Sequence, residues 1–166
     1  MVQPIYADRF DSPVGELGVA VDSEGRLVRL AFLAGGVSGA FAEPALAWRS
    51  QPCAQARRQL LEYFARRRKS FELDVHLEGP AFERRVWEEL RRIPYGETLS
   101  YGKLARRVAS PEAAQAVGQA NHRNPVAIVI PCHRVVAADG TLVGFGGGIA
   151  TQRALLDLER GQRTFA

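Results

Sequence analysis

The sequence predicts an α+β protein with two domains, a mixed α/β domain over residues 1–78 and a helix-rich domain over residues 79–166. A β-hairpin pattern near the start, one amphipathic helix in the first half, and several short helical patterns in the second half support this organisation. Gly79-Pro80 forms a natural boundary between the halves. A chain of 166 residues fits one domain or two small ones and can bury roughly two thirds or more of its unfolded surface without disulfides.

Composition excludes several classes of protein. No apolar run is longer than that over residues 126–130, whereas a membrane span needs about 18 apolar residues, and the N-terminus has no signal-peptide pattern. Cys53 and Cys132 are too few for a disulfide framework, and with three histidines they show no zinc-binding spacing. We therefore expect a cytoplasmic protein with no membrane association, no metal and no cofactor.

The net charge of +4 is confined to the second half of the chain. Residues 1–78 hold 10 Lys+Arg and 10 Asp+Glu, whereas residues 79–166 hold 12 and 8. Twenty of the 22 basic residues are arginines, which suits phosphate contacts but can equally reflect a GC-rich genome. The charge permits nucleic-acid binding without demonstrating it.

The first half predicts strands followed by a helix. Alternating apolar residues over 5–10, 18–21 and 27–32, with a turn at 22–25, indicate a β-hairpin pattern. Residues 54–69 have apolar side chains at helical spacing and arginines on the other faces, which we interpret chiefly as a solvated surface.

Two further stretches of the first half are less regular. Residues 71–77 alternate again, as in a strand, and residues 35–47 favour no single structure.

The second half predicts successive short helices. Pro80 can occupy the first turn of a helix that ends before Pro94. Another helix begins at Ser100, and Ser110-Pro111 supplies an N-cap and first residue for a helix reaching about Ala120. Two short helices joined by a tight turn are typical of a helix-turn-helix.

The second of these helices is unusually slim, because most of its side chains are alanine or glycine. A slim helix suits close backbone approach in the minor groove of DNA, although small residues also simply allow helices to pack closely.

The remaining elements complete the second domain. The apolar run 126–130 is interpreted as a strand ended by Pro131, and residues 137–142 as a hairpin turn that could form a wing. A glycine-rich loop over 144–148 precedes a final helix over 151–160, closed by Gly161.

Cys132 is the candidate reactive residue. It lies between a proline and a His-Arg pair that we expect to favour the thiolate, the nucleophilic form of cysteine. Glu159 on the last helix could orient His133 as the third member of a nucleophile, base and orienter set. A packed core thiol is the alternative interpretation of a cysteine beside an apolar run.

The motif Pro131-Cys132-His133-Arg134-Val135 resembles the active-site motif of the O6-alkylguanine-DNA alkyltransferases, also called methylated-DNA–protein-cysteine methyltransferases. Further matching motifs follow in order through residues 79–166, whereas residues 1–78 match loosely, mainly at 12–15. These further motifs are Gly79-Pro80-Ala81-Phe82, Ile93-Pro94-Tyr95-Gly96-Glu97-Thr98, Ser100-Tyr101, Ala116-Val117-Gly118, Asn124-Pro125, Gly144-Phe145-Gly146-Gly147-Gly148 and Leu155-Leu156 to Glu159.

The resemblance implies a ribonuclease-H-like first domain and a winged helix-turn-helix second domain. It also implies DNA repair by direct reversal, in which an O6-alkylguanine is flipped out of duplex DNA and its alkyl group moves irreversibly to Cys132. By similarity His133 deprotonates Cys132 through a water, Glu159 holds His133, and Asn124 braces the turn that carries the cysteine.

The resemblance further implies a DNA-facing surface, with minor-groove contact by a monomer. Tyr101 would sit by the phosphate, help to rotate the nucleotide and donate toward the guanine. The residues expected to contact substrate or DNA are Tyr101, Ala114, Gln115, Arg123, Arg134, Val135, Phe145 and Gly146.

One position departs from the family pattern. The slim helix normally carries an arginine that fills the gap left by the flipped base, and that position here is Gln115. Glutamine is shorter and uncharged, so we expect weaker extrusion or DNA affinity, with Arg123 among the residues that could compensate.

Three other functions stay open from sequence. A non-catalytic damage-binding protein would use the same pocket without transfer. A winged-helix transcription factor would dimerise on a palindrome, and a thiol hydrolase would turn over repeatedly on esters.

Overall fold

The structure is a computed structural model that describes residues 3–33, 36, 39–142 and 147–161. The chain forms two compact units, Met1–Leu77 and Glu78–Ala166. Each unit has its own buried residues.

A four-stranded sheet forms the centre of the first unit, with residues 27–32, 15–21, 5–12 and 46–48 as neighbouring strands in that order. Its antiparallel strands are β1 (Ile5–Ser12), β2 (Gly15–Val21) and β3 (Leu27–Phe32). The short strand β4 (Leu46–Trp48) pairs with β1 in parallel. The predicted hairpin pattern is therefore confirmed, while β4 lies in the stretch where the sequence favoured no structure.

Helix α1 (Ala54–Phe64) buries Leu60, Tyr63 and Phe64 and ends five residues before the predicted end. Arg66 adopts a left-handed backbone (φ 60°) that ends the helical path. The segment between Phe64 and Phe71 has no large apolar side chain, and a helix without an apolar face to bury is only marginally stable.

The predicted strand over residues 71–77 is wrong. Val75 makes an isolated parallel bridge to Leu27, with the Leu27 N–H donating to the Asp74 carbonyl (2.8 Å) and the His76 N–H to the Leu27 carbonyl (3.0 Å). Alternation of apolar residues indicated the extended backbone but not the number of ladder hydrogen bonds, which depends on a partner strand.

In the second unit α2 (Ala81–Leu90), α3 (Tyr101–Val108) and α4 (Ala114–His122) all contact one another. Pro80 precedes α2 as its N-cap residue, rather than lying in the first turn. The Ser100 side chain caps α3 by accepting from the Lys103 N–H (3.2 Å), and the helix begins at Tyr101, one residue after the predicted start. A 3-10 turn, Pro111–Ala113, leads into α4 and completes the helix-turn-helix.

Short strands and a final helix complete the second unit. Strand β5 (Leu99–Ser100) pairs in parallel with β6 (Val135–Val136). Helix α5 (Ile149–Glu159) buries Leu155, Leu156 and Leu158, and Gly161 follows it with a left-handed backbone (φ 77°). A turn closes at Asp139-Gly140 as predicted, with the Gly140 N–H donating to the Ala137 carbonyl (2.9 Å).

The apolar run 126–130 is a buried turn, so the predicted strand is wrong. Ile128 has a left-handed backbone (φ 70°), and the Ile130 N–H donates to the Val126 carbonyl (3.0 Å). A short apolar run indicates burial without distinguishing a strand from a folded turn.

None of the described helices is long and apolar enough to cross a membrane. Within residues 3–33, 36, 39–142 and 147–161, no cluster of three or more His, Cys, Asp or Glu side chains could hold a metal ion.

Candidate active site

A 3-10 turn, Cys132–Arg134, brings three adjacent side chains into the interior of the second unit. Cys132 is 3% exposed, His133 0% and Arg134 7%. The Cys132 N–H donates to the Ile130 carbonyl (2.8 Å) and the Arg134 N–H to the Pro131 carbonyl (3.0 Å). Because this turn directly follows the turn over residues 126–130, two successive turns define the position of the thiol.

Asn124 connects the two ends of the turn over residues 126–130. Its Nδ2 donates to the Ile130 carbonyl (2.7 Å) and its Oδ1 accepts from the Val126 N–H (3.0 Å). The Asn124 side chain also hydrogen-bonds the Cys132 sulfur. One amide therefore links the backbone of the turn to the thiol.

Glu159 lies between His133 and Arg134. The His133 Nε2 is 2.7 Å from Glu159 Oε2. The Arg134 guanidinium donates to both carboxylate oxygens, from Nε to Oε1 (2.8 Å) and from Nη2 to Oε2 (3.0 Å). All three side chains are buried, so this is a desolvated, bidentate ion pair with a histidine attached.

Backbone groups hold the same cluster in place. Arg134 Nη1 donates to the Ile93 carbonyl (2.7 Å), and the Gly96 N–H donates to Glu159 Oε1 (3.3 Å). Gln152 on α5 donates from Nε2 to the His133 carbonyl (3.1 Å) and the Val135 carbonyl (3.0 Å). These bonds tie the 3-10 turn to the loop after α2 and to α5.

The charges of the cluster follow from these contacts. Burial alone would raise the pKa of Glu159, but the hydrogen bonds and charges of His133 and Arg134 outweigh it and lower the pKa well below its ordinary value. Burial lowers the pKa of His133, against the opposing effect of Glu159. Glu159 is therefore an anion and His133 a neutral imidazole at neutral pH.

This charge state determines the histidine tautomer. An ionised carboxylate only accepts hydrogen bonds, so the His133 Nε2 carries the proton that lies toward Glu159. The buried Nδ1 then has a free lone pair, and it has no hydrogen-bond partner among the described residues. His133 is thus arranged as a base at Nδ1.

Burial raises the pKa of the Cys132 thiol to about 11, and the hydrogen bond from Asn124 only partly offsets this rise. The expectation that the adjacent His-Arg pair favours the thiolate is wrong. The Arg134 charge is directed to Glu159, and His133 is neutral, so neither supplies a positive charge to the sulfur. Cys132 rests as a thiol and needs a base.

Tyr101, at the start of α3, is partly buried and its ring lies against α4. A Cβ built on Gly118 would be 3.7 Å from the Tyr101 ring. The Tyr101 hydroxyl accepts from Asn121 Nδ2 (3.3 Å). Burial raises the pKa of Tyr101, and the Cys132 thiol contributes to this rise.

The other predicted DNA contacts are distributed over the second unit. Gln115 is exposed and Ala114 partly buried in the first turn of α4. Arg123 is 66% exposed and forms an ion pair with Glu83 (2.9 Å). Val135 is fully buried in β6. Phe145 and Gly146 lie outside the described residues.

The structure corrects the expectation for Arg134. Its guanidinium is directed to Glu159, to the Ile93 carbonyl and to the face of the Tyr95 ring (5.8 Å), rather than to a DNA-facing surface. A charged side chain that is buried in an ion pair cannot contact a phosphate unless that pair is broken.

Sequence reasoning also missed Asn121 and Gln152. Asn121 lies beside Val117 and Ala120 on the buried face of α4, Gln152 lies on the leucine-rich buried face of α5 that also carries Glu159, and both are at most 1% exposed. A buried polar side chain needs hydrogen-bond partners, so this pattern is the signal that could have identified them.

Family models match both parts of the chain. A family model for the DNA-binding domain of 6-O-methylguanine DNA methyltransferase matches residues 81–161. A second model, for the ribonuclease-like domain of the same family, matches residues 5–77. The mixed α/β fold with a ribonuclease-like first domain and a DNA-binding second domain is therefore confirmed.

Two curated relatives match over nearly their whole length. The methylated-DNA–protein-cysteine methyltransferase of Methanosarcina acetivorans is 42% identical over 159 residues, which cover 93% of this chain and 98% of that protein. The protein of the same name from Mycobacterium leprae is 42% identical over 169 residues, covering 95% and 94%.

Solved structures show the same fold. The crystal structure of Mycobacterium tuberculosis O6-methylguanine methyltransferase has a TM-score of 0.87 at 40% identity, covering 96% of this chain and 94% of that one. A crystal structure of the M. tuberculosis protein in complex with DNA has a TM-score of 0.86 at 41% identity, covering 94% and 93%. This chain belongs to the methylated-DNA–protein-cysteine methyltransferase family.

Proposed function

We propose that this protein repairs DNA by direct reversal, moving the alkyl group of an O6-alkylguanine in double-stranded DNA onto Cys132. The observation that carries the proposal is the neutral His133, whose Nε2–H is bound to an ionised Glu159 and whose Nδ1 is unpartnered among the described residues. A thiol with a pKa of about 11 needs such a base beside it.

The proposed reaction begins with proton transfer. The Cys132 thiol proton passes through a water to His133 Nδ1, and Glu159 stabilises the imidazolium that forms. The Cys132 Sγ then attacks the alkyl carbon, the bond between that carbon and O6 breaks, and its electron pair remains on the guanine. The guanine takes up one proton from solvent and the imidazolium releases one to solvent, so the proton lost by the thiol balances the proton gained by the guanine. Arg134 holds Glu159 as an anion throughout, because it donates to both carboxylate oxygens.

The product explains a single turnover per molecule. Alkylated cysteine is a thioether and, unlike the thioester of a cysteine protease, has no electrophilic carbonyl for water to attack. No hydrolytic step restores the thiol. The protein is consumed in the reaction, with one alkyl group accepted per chain.

DNA recognition is proposed to use α4 in the minor groove. Ala116 is exposed on this helix and Ala114 partly so, which lets its backbone approach the groove closely. Gln115 would occupy the space left by the flipped nucleotide, and Tyr101 would donate to the nucleotide near Cys132. Flipping is required because O6 lies within the stacked duplex, and a mispaired alkylguanine costs less to extrude.

The proposal includes a monomer acting in the cytoplasm. A net charge of +4, all of it in residues 79–166, is compatible with a small footprint of a few phosphates. Arg123 can add a phosphate contact once its exposed pair with Glu83 opens. Non-catalytic damage binding is not favoured, because the thiol, the base and the carboxylate are all present and the last two are hydrogen-bonded.

The test is an intact mass measurement after incubation with a duplex oligonucleotide that contains a single O6-methylguanine. We expect a gain of one CH2 per protein molecule, located on Cys132 by peptide mapping. Cys132→Ser abolishes the gain. Cys53→Ser is the matched control and keeps it, because the hydrogen-bond partners of the Cys53 sulfur among the described residues are backbone carbonyls, which cannot act as a base for the thiol.

Binding to the lesion without any mass gain would overturn transfer and favour the damage-binding alternative. Repeated release of product by one molecule would overturn the single-turnover mechanism. A gain on Cys53 would remove the assignment of the acceptor.

A further inference from the structure

Asn121 is a polar residue on the buried face of α4. It is 1% exposed, and its neighbours on that face, Val117 and Ala120, are apolar and equally buried. An apolar side chain of the same shape would fill this position without needing hydrogen-bond partners, whereas an amide has four hydrogen-bonding sites to satisfy. The amide therefore calls for a role beyond packing.

The amide contacts one side chain that matters for the proposed reaction. Asn121 Nδ2 donates to the Tyr101 hydroxyl oxygen (3.3 Å). Because the phenol oxygen accepts this bond, its own O–H remains available to donate to a ligand. Asn121 Oδ1 has no hydrogen-bond partner among the described residues. No hydrogen bond to that oxygen therefore holds the amide in a different orientation there.

The Tyr101 ring packs against α4. Gly118 lies against this ring, because a Cβ built on the glycine would be 3.7 Å from a carbon of the Tyr101 ring. The helix behind it is anchored by Trp87, whose Nε1 donates to the Ala120 carbonyl (2.9 Å). The ring is thus supported by α4, and the hydroxyl is oriented by the Asn121 amide.

Tyr101 and the thiol are close enough to influence each other. The Cys132 group contributes to the raised pKa of Tyr101, and the Asn121 hydrogen bond opposes that rise. Asn121 therefore stabilises negative charge on the phenol oxygen.

We propose that Asn121 is a positioning residue for Tyr101, fixing the phenol oxygen as an acceptor so that its O–H is directed to the extruded nucleotide. This inference rests on the proposed alkyl transfer, in which Tyr101 contacts that nucleotide. Asn121 itself touches no reacting atom and acts only through the Tyr101 hydroxyl.

The first test measures the pKa of Tyr101 in the absence of DNA. The chain has four tyrosines, so 13C-labelled tyrosine ring carbons can be titrated by NMR and the Tyr101 signal assigned by its loss in Tyr101→Phe. Asn121→Leu keeps the shape but removes the donor, and we expect the pKa of Tyr101 to rise. Gln119→Leu, the same change at an exposed position of α4, is expected to leave it unchanged.

The second test is a double-mutant cycle on single-turnover transfer from duplex O6-methylguanine. We expect Asn121→Leu to slow transfer by about 2- to 12-fold, the range for losing one hydrogen bond between neutral groups. In the Tyr101→Phe background the same change is expected to have no further effect, since the hydroxyl it acts through is absent. A merely structural role would slow both backgrounds equally.

If Asn121→Leu does not fold, Tyr101→Phe still tests the contact, because the side-chain NH2 protons of Asn121 should shift on loss of the hydroxyl. Unchanged NH2 shifts, an unchanged Tyr101 titration, or an equal effect in both backgrounds would overturn the inference. Failure of the proposed function is distinguishable, because then the wild-type protein itself accepts no methyl group.

Discussion

The two cysteines occupy the two units of the molecule and are almost alike by the usual measures of reactivity. Cys53 is 0% exposed and Cys132 3% exposed. Burial raises the pKa of each thiol to about 11. Neither exposure nor the pKa separates the candidate acceptor from a packed core thiol.

Their neighbours separate them. The Cys53 sulfur faces the backbone carbonyls of Tyr6 (3.5 Å) and Val19 (4.0 Å), with the negative charge of Asp8 further raising its pKa. Cys132 instead has the Asn124 amide on its sulfur and is followed in the chain by a neutral imidazole held by Glu159. A buried thiol can act as a nucleophile when a base and a hydrogen-bond donor lie beside it. A low pKa of the resting thiol is not required.

The largest expected effect comes from removing the base. His133→Gln should slow single-turnover transfer by about 100- to 10,000-fold, the usual contribution of a general base. His76→Gln in the first unit is the matched control and should leave the rate unchanged. Quenched-flow assays with the methylated duplex measure both, and equal rates for wild type and His133→Gln would contradict the assignment of His133 as the base.

The next effect concerns the ion pairs of the two units. Arg134→Met leaves Glu159 buried without its bidentate partner and should lower the free energy of unfolding of the second unit by about 3–5 kcal/mol. In the first unit Arg57 forms an exposed pair with Asp8 (3.4 Å), and Arg57→Met should cost about 0–1 kcal/mol.

Tryptophan fluorescence can measure the unfolding free energy of the second unit in Arg134→Met. The chain has two tryptophans, so a Trp48→Phe background leaves Trp87 as the reporter of the second unit in urea titrations. A loss below about 1 kcal/mol for Arg134→Met would mean that the buried pair is no stronger than an exposed one.

Acid should destabilise the second unit through the same cluster. His133 and Glu159 both have pKa values below their ordinary 6.5 and 4.5, so the unfolded chain binds more protons than the folded one in acid. Their contribution to stability is complete above pH about 6.5 for His133 and about 4.5 for Glu159, and it is lost as the pH falls toward the folded-state values.

Urea titrations of the Trp48→Phe background between pH 7.5 and about 4 measure this dependence. We expect the unfolding free energy to fall steadily, and His133→Gln to flatten the part of the curve near pH 6. The same slope near pH 6 in wild type and His133→Gln would contradict a buried neutral histidine.

The smallest expected effect concerns DNA affinity. Gln115→Arg on α4 adds one cation at the proposed groove contact, so duplex binding should tighten and the salt dependence of log K should steepen by about one unit. Gln55→Arg on the exposed side of α1 is the matched control in the first unit and should change neither. Fluorescence anisotropy over a salt series measures both, and identical slopes for the two variants would remove Gln115 from the interface.

Local patterns predicted most of the secondary structure. Strands β1 to β3 and the helices around Ser100 and Ser110 follow from alternation, helical spacing and capping residues, all of which act within a few positions. The errors occurred where the decisive interaction is not local. The apolar run 126–130 folds into a turn because Asn124 satisfies its backbone groups, and residues 71–77 pair with only one residue of the sheet.

The sequence by itself determined the two-domain organisation, the family and the identity of Cys132 as the candidate acceptor. Motifs and short-range periodicity involve residues that are close together in the sequence, so they can be recognised without the fold. The tertiary structure decided the charge state of the site. Arg134 and Glu159, 25 positions apart in the sequence, form one buried ion pair. Asn121 on α4 donates to the hydroxyl of Tyr101 on α3. Desolvation and hydrogen bonding set proton affinities, and both depend on which distant groups are brought together in the interior.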